Sequence, residues 1–131
     1  MRVCGVDEAG RGSMLGPLVI AGITINRSKI NLLKKQGIRD SKKLSPATRE
    51  RLYKKIISIV DDYYVVKIPP RVIDKSVLSH SLNHLEAKYM AKVISKLSPS
   101  IAFVDSCDVN SKRFGKEISK LTPNTKIRSY H

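Results

Sequence analysis

The chain has 131 residues, 41% of them apolar, and carries 25 Lys and Arg against 11 Asp and Glu for a formal net charge of +14. This composition excludes a disordered polymer, and the length suits one domain with a real core. The charge is concentrated, because Arg27 to Lys55 holds eleven basic residues and only Asp40 and Glu50 as acids. Such a stretch suits a polyanion, nucleic acid being the commonest one in the cytoplasm, while a solvated lysine-rich surface of the kind seen in heat-stable proteins is the alternative. No run of ~18 apolar residues occurs and the start lacks the apolar segment of a signal peptide, so a soluble cytoplasmic protein with no membrane partner is expected. Cys4 and Cys107 are too few for a disulfide framework or a zinc site and are expected as reduced thiols.

In chain order, Arg2 to Val6 reads as a short buried strand and Leu18 to Ile25 as a second. The short connection, punctuated by Gly10, Gly12, Gly16 and Pro17, favours antiparallel pairing. Asn26 to Gly37 is basic and partly helical in pattern. Ser45 can cap a helix that starts at Pro46 and carries Leu52, Ile56 and Ile59 as a stripe to cover a sheet. After Asp61-Asp62, Tyr63 to Ile68 is a third strand, ended by Pro69-Pro70. Leu78, Leu82, Leu85, Tyr89 and Val93 then keep one helical face apolar to about residue 96, and Ser98-Pro99 stops it. Ile101 to Val104 is a fourth strand, Asn110 can cap a helix with Phe114, Ile118 and Leu121 inside, and Lys126 to His131 alternates as a fifth strand. Tyr63, Tyr64, Tyr89 and Phe103 are expected in the core.

Strands in sequence followed by strands separated by helices describe an α/β domain with a mixed sheet, three antiparallel strands and then parallel ones. A fourth strand parallel to the first would bring Asp105 beside Asp7 and Glu8. Adjacent carboxylates repel each other, and three at neighbouring strand ends form a hard-oxygen site for Mg²⁺ or Mn²⁺. Each feature also has a plainer reading. Asp7-Glu8 can be a solvated turn, Asp105 or Asp108 can cap the next helix, and Lys42 and Lys43 can be surface charges. The Gly10 to Gly16 loop can be a turn or a mononucleotide loop, although the acids before it would repel phosphate unless a cation lay between. His80, His84 and His131 read as solvent or packing residues.

The segment GVDEAGRGSMLGP, the later DSKKLS, the SLNHLEAKYMA helix and FVDSCDVNSKRF together resemble ribonuclease HII of an archaeal type, along the whole chain and in order. The resemblance implies a ribonuclease H-like fold over residues 1–131. It implies an endonuclease that cleaves the RNA strand of RNA/DNA hybrids and incises 5′ of ribonucleotides in duplex DNA, leaving a 3′-hydroxyl and a 5′-phosphate through Mg²⁺ or Mn²⁺ ions acting in pairs. It implies Asp7, Glu8 and Asp105 as catalytic metal-binding carboxylates. Gly10, Arg11 and Gly12 would contact the ribose 2′-hydroxyl, Lys42 or Lys43 a phosphate, and Asn83 the bound strand.

The family pattern continues beyond a histidine like His131 into Lys-Ala-Asp, which carries a fourth carboxylate, and then into helices with a substrate-sensing tyrosine. Those residues are not in this sequence, so the expectation is a C-terminally truncated catalytic domain. Members of the family at full length are expected as monomers, and this fragment to self-associate through an exposed sheet face. A nucleic-acid-binding fragment that does not catalyse, or a nucleotide-binding α/β domain, are the alternatives.

Overall fold

The apolar start of the chain pairs on both of its edges, and the first strand outruns its apolar residues. The computed structural model describes residues 1–9, 17–35, 46–78 and 82–130. Within them β1 (Arg2–Ala9) extends past Val6 to include Asp7 and Glu8, because β2 (Leu18–Asn26) pairs with it as far as Ala9↔Val19. A 3-10 turn (Arg27–Lys29), capped by the Asn26 side chain, leads into α1 (Ile30–Lys35). There follow α2 (Pro46–Ile59), β3 (Asp62–Ile68), α3 (Pro70–Leu78), α4 (Leu82–Leu97), β4 (Ile101–Asp105), α5 (Ser111–Leu121) and β5 (Lys126–Tyr130). Leu78 and Leu82, which share one helical stripe in the sequence pattern, belong to two helices. Pro46 stands first in α2 as its fixed φ favours; Ser45, the expected cap, lies outside the described residues.

The sheet has five strands in the order β3-β2-β1-β4-β5. β1 and β2, and β2 and β3, run antiparallel, whereas β4 lies parallel to β1 and β5 parallel to β4. This is the expected mixed α/β sheet, and it puts the chain's first strand at its centre. Among the described residues no helix is long and apolar enough to cross a membrane.

The core lies on one face. Strand alternation sends Cys4, Val6, Leu18, Ile20, Ile68, Ala102 and Val104 to the side where α4 and α5 bring Met90, Val93, Ile94, Leu97, Phe114 and Ile118. Ser98, at φ 48, closes α4 in the left-handed region and donates its N–H to Ile94 O at 2.9 Å, and Pro99 prevents further winding. Asn110 caps α5 as expected, its Oδ1 accepting from Arg113 N.

The opposite face corrects two expectations. Tyr63 is 50% exposed and Phe103 43%, since both point away from α4 and α5. Val65 and Tyr130 are exposed on that face as well. Tyr64 and Tyr89 do pack against the core. Leu121 is exposed at the last residue of α5, and Ile56 and Ile59 of α2 are only half-buried, outside the core cluster.

Two glycines let helices approach the sheet. A Cβ on Gly22 would meet Val93 Cγ1 at 2.6 Å, and one on Gly115 would meet Ser129 Oγ at 2.4 Å. Ser129 cannot yield freely, because its hydroxyl donates to Ser111 O at the start of α5. Gly115→Ala is therefore expected to lower stability by about 1–3 kcal/mol through overpacking, despite alanine's better helix propensity. Urea unfolding checks this, and an unchanged or higher midpoint would show that α5 slides without cost.

Neither Cys4 nor Cys107 is in a disulfide bond. Burial pushes the Cys4 thiol up from 9.0 to about 12, with Arg2 opposing weakly. A pKa raised in the folded chain means that the buried thiol's contribution is intact below pH 9.0 and declines as the pH climbs toward about 12. Cys107 is half-buried, its Sγ 3.7 Å from Asn83 Oδ1. A chromogenic disulfide reagent at pH 8 is expected to titrate Cys107 promptly and Cys4 only after denaturant is added. Prompt reaction of both thiols would mean that the core around β1 opens readily.

Candidate active site

The ends of β1 and β4 hold the acids singled out in the sequence. Val6↔Val104 is the last pair of the parallel ladder, so Asp7 and Asp105 follow it one step later on adjacent strands. Neighbouring strands lie about 4.8 Å apart, and alternation turns both side chains to the face away from α4 and α5. Asp7 is exposed and Asp105 half-buried. The Oδ1 of Asp7 accepts the Glu8 N–H at 2.8 Å.

Glu8 takes the other face. Because β1 continues through it, Glu8 shares the side of Cys4 and Val6, opposite the fully buried Ile20, and its Oε2 is buried. The structure thus brings Asp7 and Asp105 together and sets Glu8 across the sheet from them. Among the described residues no three His, Cys, Asp or Glu side chains form a metal-ligating group. Gly10, Arg11, Gly12, Lys42 and Lys43 lie outside the described residues, as do His80 and His131.

Tyr130 completes the rim of the carboxylate pair. It pairs with Asp105 in the parallel register of β4 and β5, and with Gly5, Asp7, Ala21 and Ile23 it lines a shallow hollow of about 300 Å³. Burial, and then the negative charges of Asp105 and Asp7, raise its phenol above the usual tyrosine range. Its place beside the acids was not evident from the sequence, where it is one polar residue of an alternating strand. The parallel pairing with β4 is the fact that puts it there.

The loop after β4 is held stiffly. Ser106 N donates to Tyr130 O at 2.7 Å, and Ser106 Oγ accepts from Asp108 N at 3.1 Å. The buried Asp108 carboxylate accepts from Arg113 Nε at 3.0 Å, from Arg113 Nη2 at 2.7 Å and from Asn110 N at 3.0 Å. Asp108 is therefore a buried clamp on the first turn of α5, whose own cap is Asn110. Asn83, near the start of α4, is half-buried and reaches this loop through Cys107. His84 Nδ1 meets Glu117 Oε1 and ties α4 to α5.

A sequence profile of the Ribonuclease HII family matches residues 4–130, all but the first two residues of the sheet and every helix. The chain belongs to the ribonuclease HII family. A curated relative named Ribonuclease HII, from Cenarchaeum symbiosum, is 54% identical over 131 residues, covering all of this chain and 63% of its own length. Ribonuclease HII of Archaeoglobus fulgidus, solved in a complex with PCNA, superposes with a TM-score of 0.90 at 35% identity, over 100% of this chain and 63% of that one. Ribonuclease H2 of Pyrococcus horikoshii OT3 does so with a TM-score of 0.90 at 41% identity, again over 100% and 63%. The chain spans less than two thirds of the length of each of these ribonuclease HII relatives.

Proposed function

We propose that this chain is the carboxylate-bearing part of an endonuclease that hydrolyses the RNA strand of RNA/DNA hybrids and incises 5′ of ribonucleotides in duplex DNA, leaving 3′-hydroxyl and 5′-phosphate ends. One observation carries the reading: in a chain of the ribonuclease HII family, Asp7 and Asp105 stand side by side on parallel strands at the sheet's centre. Two like charges with a phenol that feels both form an all-oxygen donor set, which fits a hard divalent cation. Asp7 and Asp105 would hold such an ion, Mg²⁺ or Mn²⁺, on the open face, while Glu8 lies on the other side of β1. Bound there, such cations in a pair supply Lewis acidity at the phosphoryl group and lower the pKa of a water.

The rest falls to the protein. The stiff loop from Ser106 to Asn110 keeps Asp105 in register with Asp7 while the substrate strand is positioned. Asn83, beside that loop, would touch the bound strand. Gly10, Arg11 and Gly12 follow directly on β1 in sequence, and close approach of glycine backbone to a ribose suits recognition of the 2′-hydroxyl. Lys42 and Lys43 would neutralise a phosphate next to the scissile bond.

The test is a labelled DNA duplex with one ribonucleotide, incubated with this chain and Mg²⁺ or Mn²⁺. Cleavage on the 5′ side of the ribonucleotide supports the reading. A second reading, a nucleic-acid-binding fragment without turnover, is favoured by the fact that only two of the three carboxylates share a face among the described residues. Retained, salt-sensitive duplex binding without cleavage at any metal concentration would establish it. Neither binding nor cleavage would overturn both.

A further inference from the structure

We propose that the groove between α4 and α5 is a second binding surface for the phosphodiester backbone of nucleic acid, separate from the carboxylate end of the sheet. Six exposed lysines carry the assignment: Lys88, Lys92 and Lys96 on α4, and Lys112, Lys116 and Lys120 on α5. Each set recurs every four residues, so each forms one row along its helix with rungs about 6 Å apart. Like charges at that spacing weaken a helix, so the rows work against the fold rather than for it.

A surface built for heat stability would interleave acids with these cations. Here, among the described residues, no carboxylate pairs with any of the six lysines. Glu117, the acid in the groove, meets His84, and Arg113 is committed to Asp108. The rows line two hollows of about 790 and 610 Å³ that share Leu121 as a wall.

One aromatic ring stands among the cations. Lys92 Nζ lies 5.9 Å from the centroid of Tyr89, which lines the same hollow, whereas Lys96 Nζ lies 6.0 Å from that of Tyr64 on β3, outside the groove. Cations lining a concave track with a ring beside them fit a sugar-phosphate strand; a lipid surface would be met by a convex face bearing apolar tips. One end of the groove, at His84 and Asn110, adjoins the loop that follows Asp105, while the carboxylates themselves face the other side of the sheet. The surface concerns affinity, and it stands or falls independently of cleavage.

The experiment measures anisotropy of a labelled DNA duplex across a salt series from about 50 to 200 mM, without added divalent metal. Lys112→Gln/Lys116→Gln/Lys120→Gln is compared with Lys67→Gln/Lys75→Gln/Lys126→Gln, which removes the same charge from scattered exposed positions on β3, α3 and β5, outside both the groove and the Arg27 to Lys55 stretch. The groove variant is expected to weaken binding about tenfold or more and to flatten the log K against log salt slope by about 2–3, with the scattered variant changing it by less than about 1. Asp105→Asn, by contrast, should keep the wild-type slope, which separates this surface from the carboxylate site. Circular dichroism confirms folding. If the α5 variant is not helical, Lys88→Gln/Lys92→Gln replaces it with an expected slope change of about 2. Equal effects in the groove and scattered variants, unaltered binding by the groove variant, or no duplex binding by the starting chain would overturn the proposal. So would groove-dependent binding to vesicles of anionic phospholipid with duplex binding unaffected.

Discussion

Asp105→Asn and Asp7→Asn are each expected to reduce cleavage of a ribonucleotide-containing duplex by about two to three orders of magnitude or more, the scale on which loss of one transition-state-stabilising group is felt. The substitution keeps size and strand register, so the loss would be chemical. Asp7 is exposed and Asp105 half-buried, each beside a like charge, and neutralising either should leave unfolding unchanged or slightly harder. Duplex affinity should hold or tighten, since a negative charge near the phosphates disappears. Cleavage rates, measured with Mg²⁺ and Mn²⁺ titrations on each variant in a form of the protein that is active, decide the matter. Unchanged rates in both variants would refute the site. Glu8→Gln is the informative companion, because that carboxylate lies on the other side of β1, and wild-type rates there would restrict the chemistry to the open face.

The second large effect is structural. Phe114 is fully buried on α5 within the core cluster, and Phe114→Ala is expected to cost about 3–5 kcal/mol, a substantial part of the ~5–15 kcal/mol that holds a domain together. Phe103→Ala on β4 makes the contrast. Its ring is 43% exposed on the opposite face, so the expected cost is well under half of that. Chemical unfolding of the pair reads the difference directly. Equal costs would mean that the open face is packed as tightly as the helix-covered one.

Much of this fold was legible in the residues. Alternating β-branched and aromatic residues marked the strands, Pro46, Pro99 and Asn110 marked where helices start and stop, and the long crossover before Ile101 implied a strand parallel to the first. These signals are local, or follow from chain connectivity, and so survive in one dimension. The family was legible too, because its motifs are contiguous strings. Which face of the sheet is covered was not. Tyr63 and Phe103 look like core residues by composition, but only the docking of α4 and α5 on one side decides that they stay exposed.

The carboxylates show the same division. Asp7 and Glu8 are neighbours in sequence and read naturally as one site beyond the end of a strand. Pairing with β2 carries β1 on to Ala9, and the two-residue period of a strand then parts them to opposite faces. Asp105 and Tyr130, distant in sequence, come to the side of Asp7 through the parallel registers of β4 and β5. Residue types, strand positions and family were determined by the sequence alone. The companions of each acid were decided by the tertiary structure, because a sheet's hydrogen-bond register, a long-range choice, sets which side chains share a face.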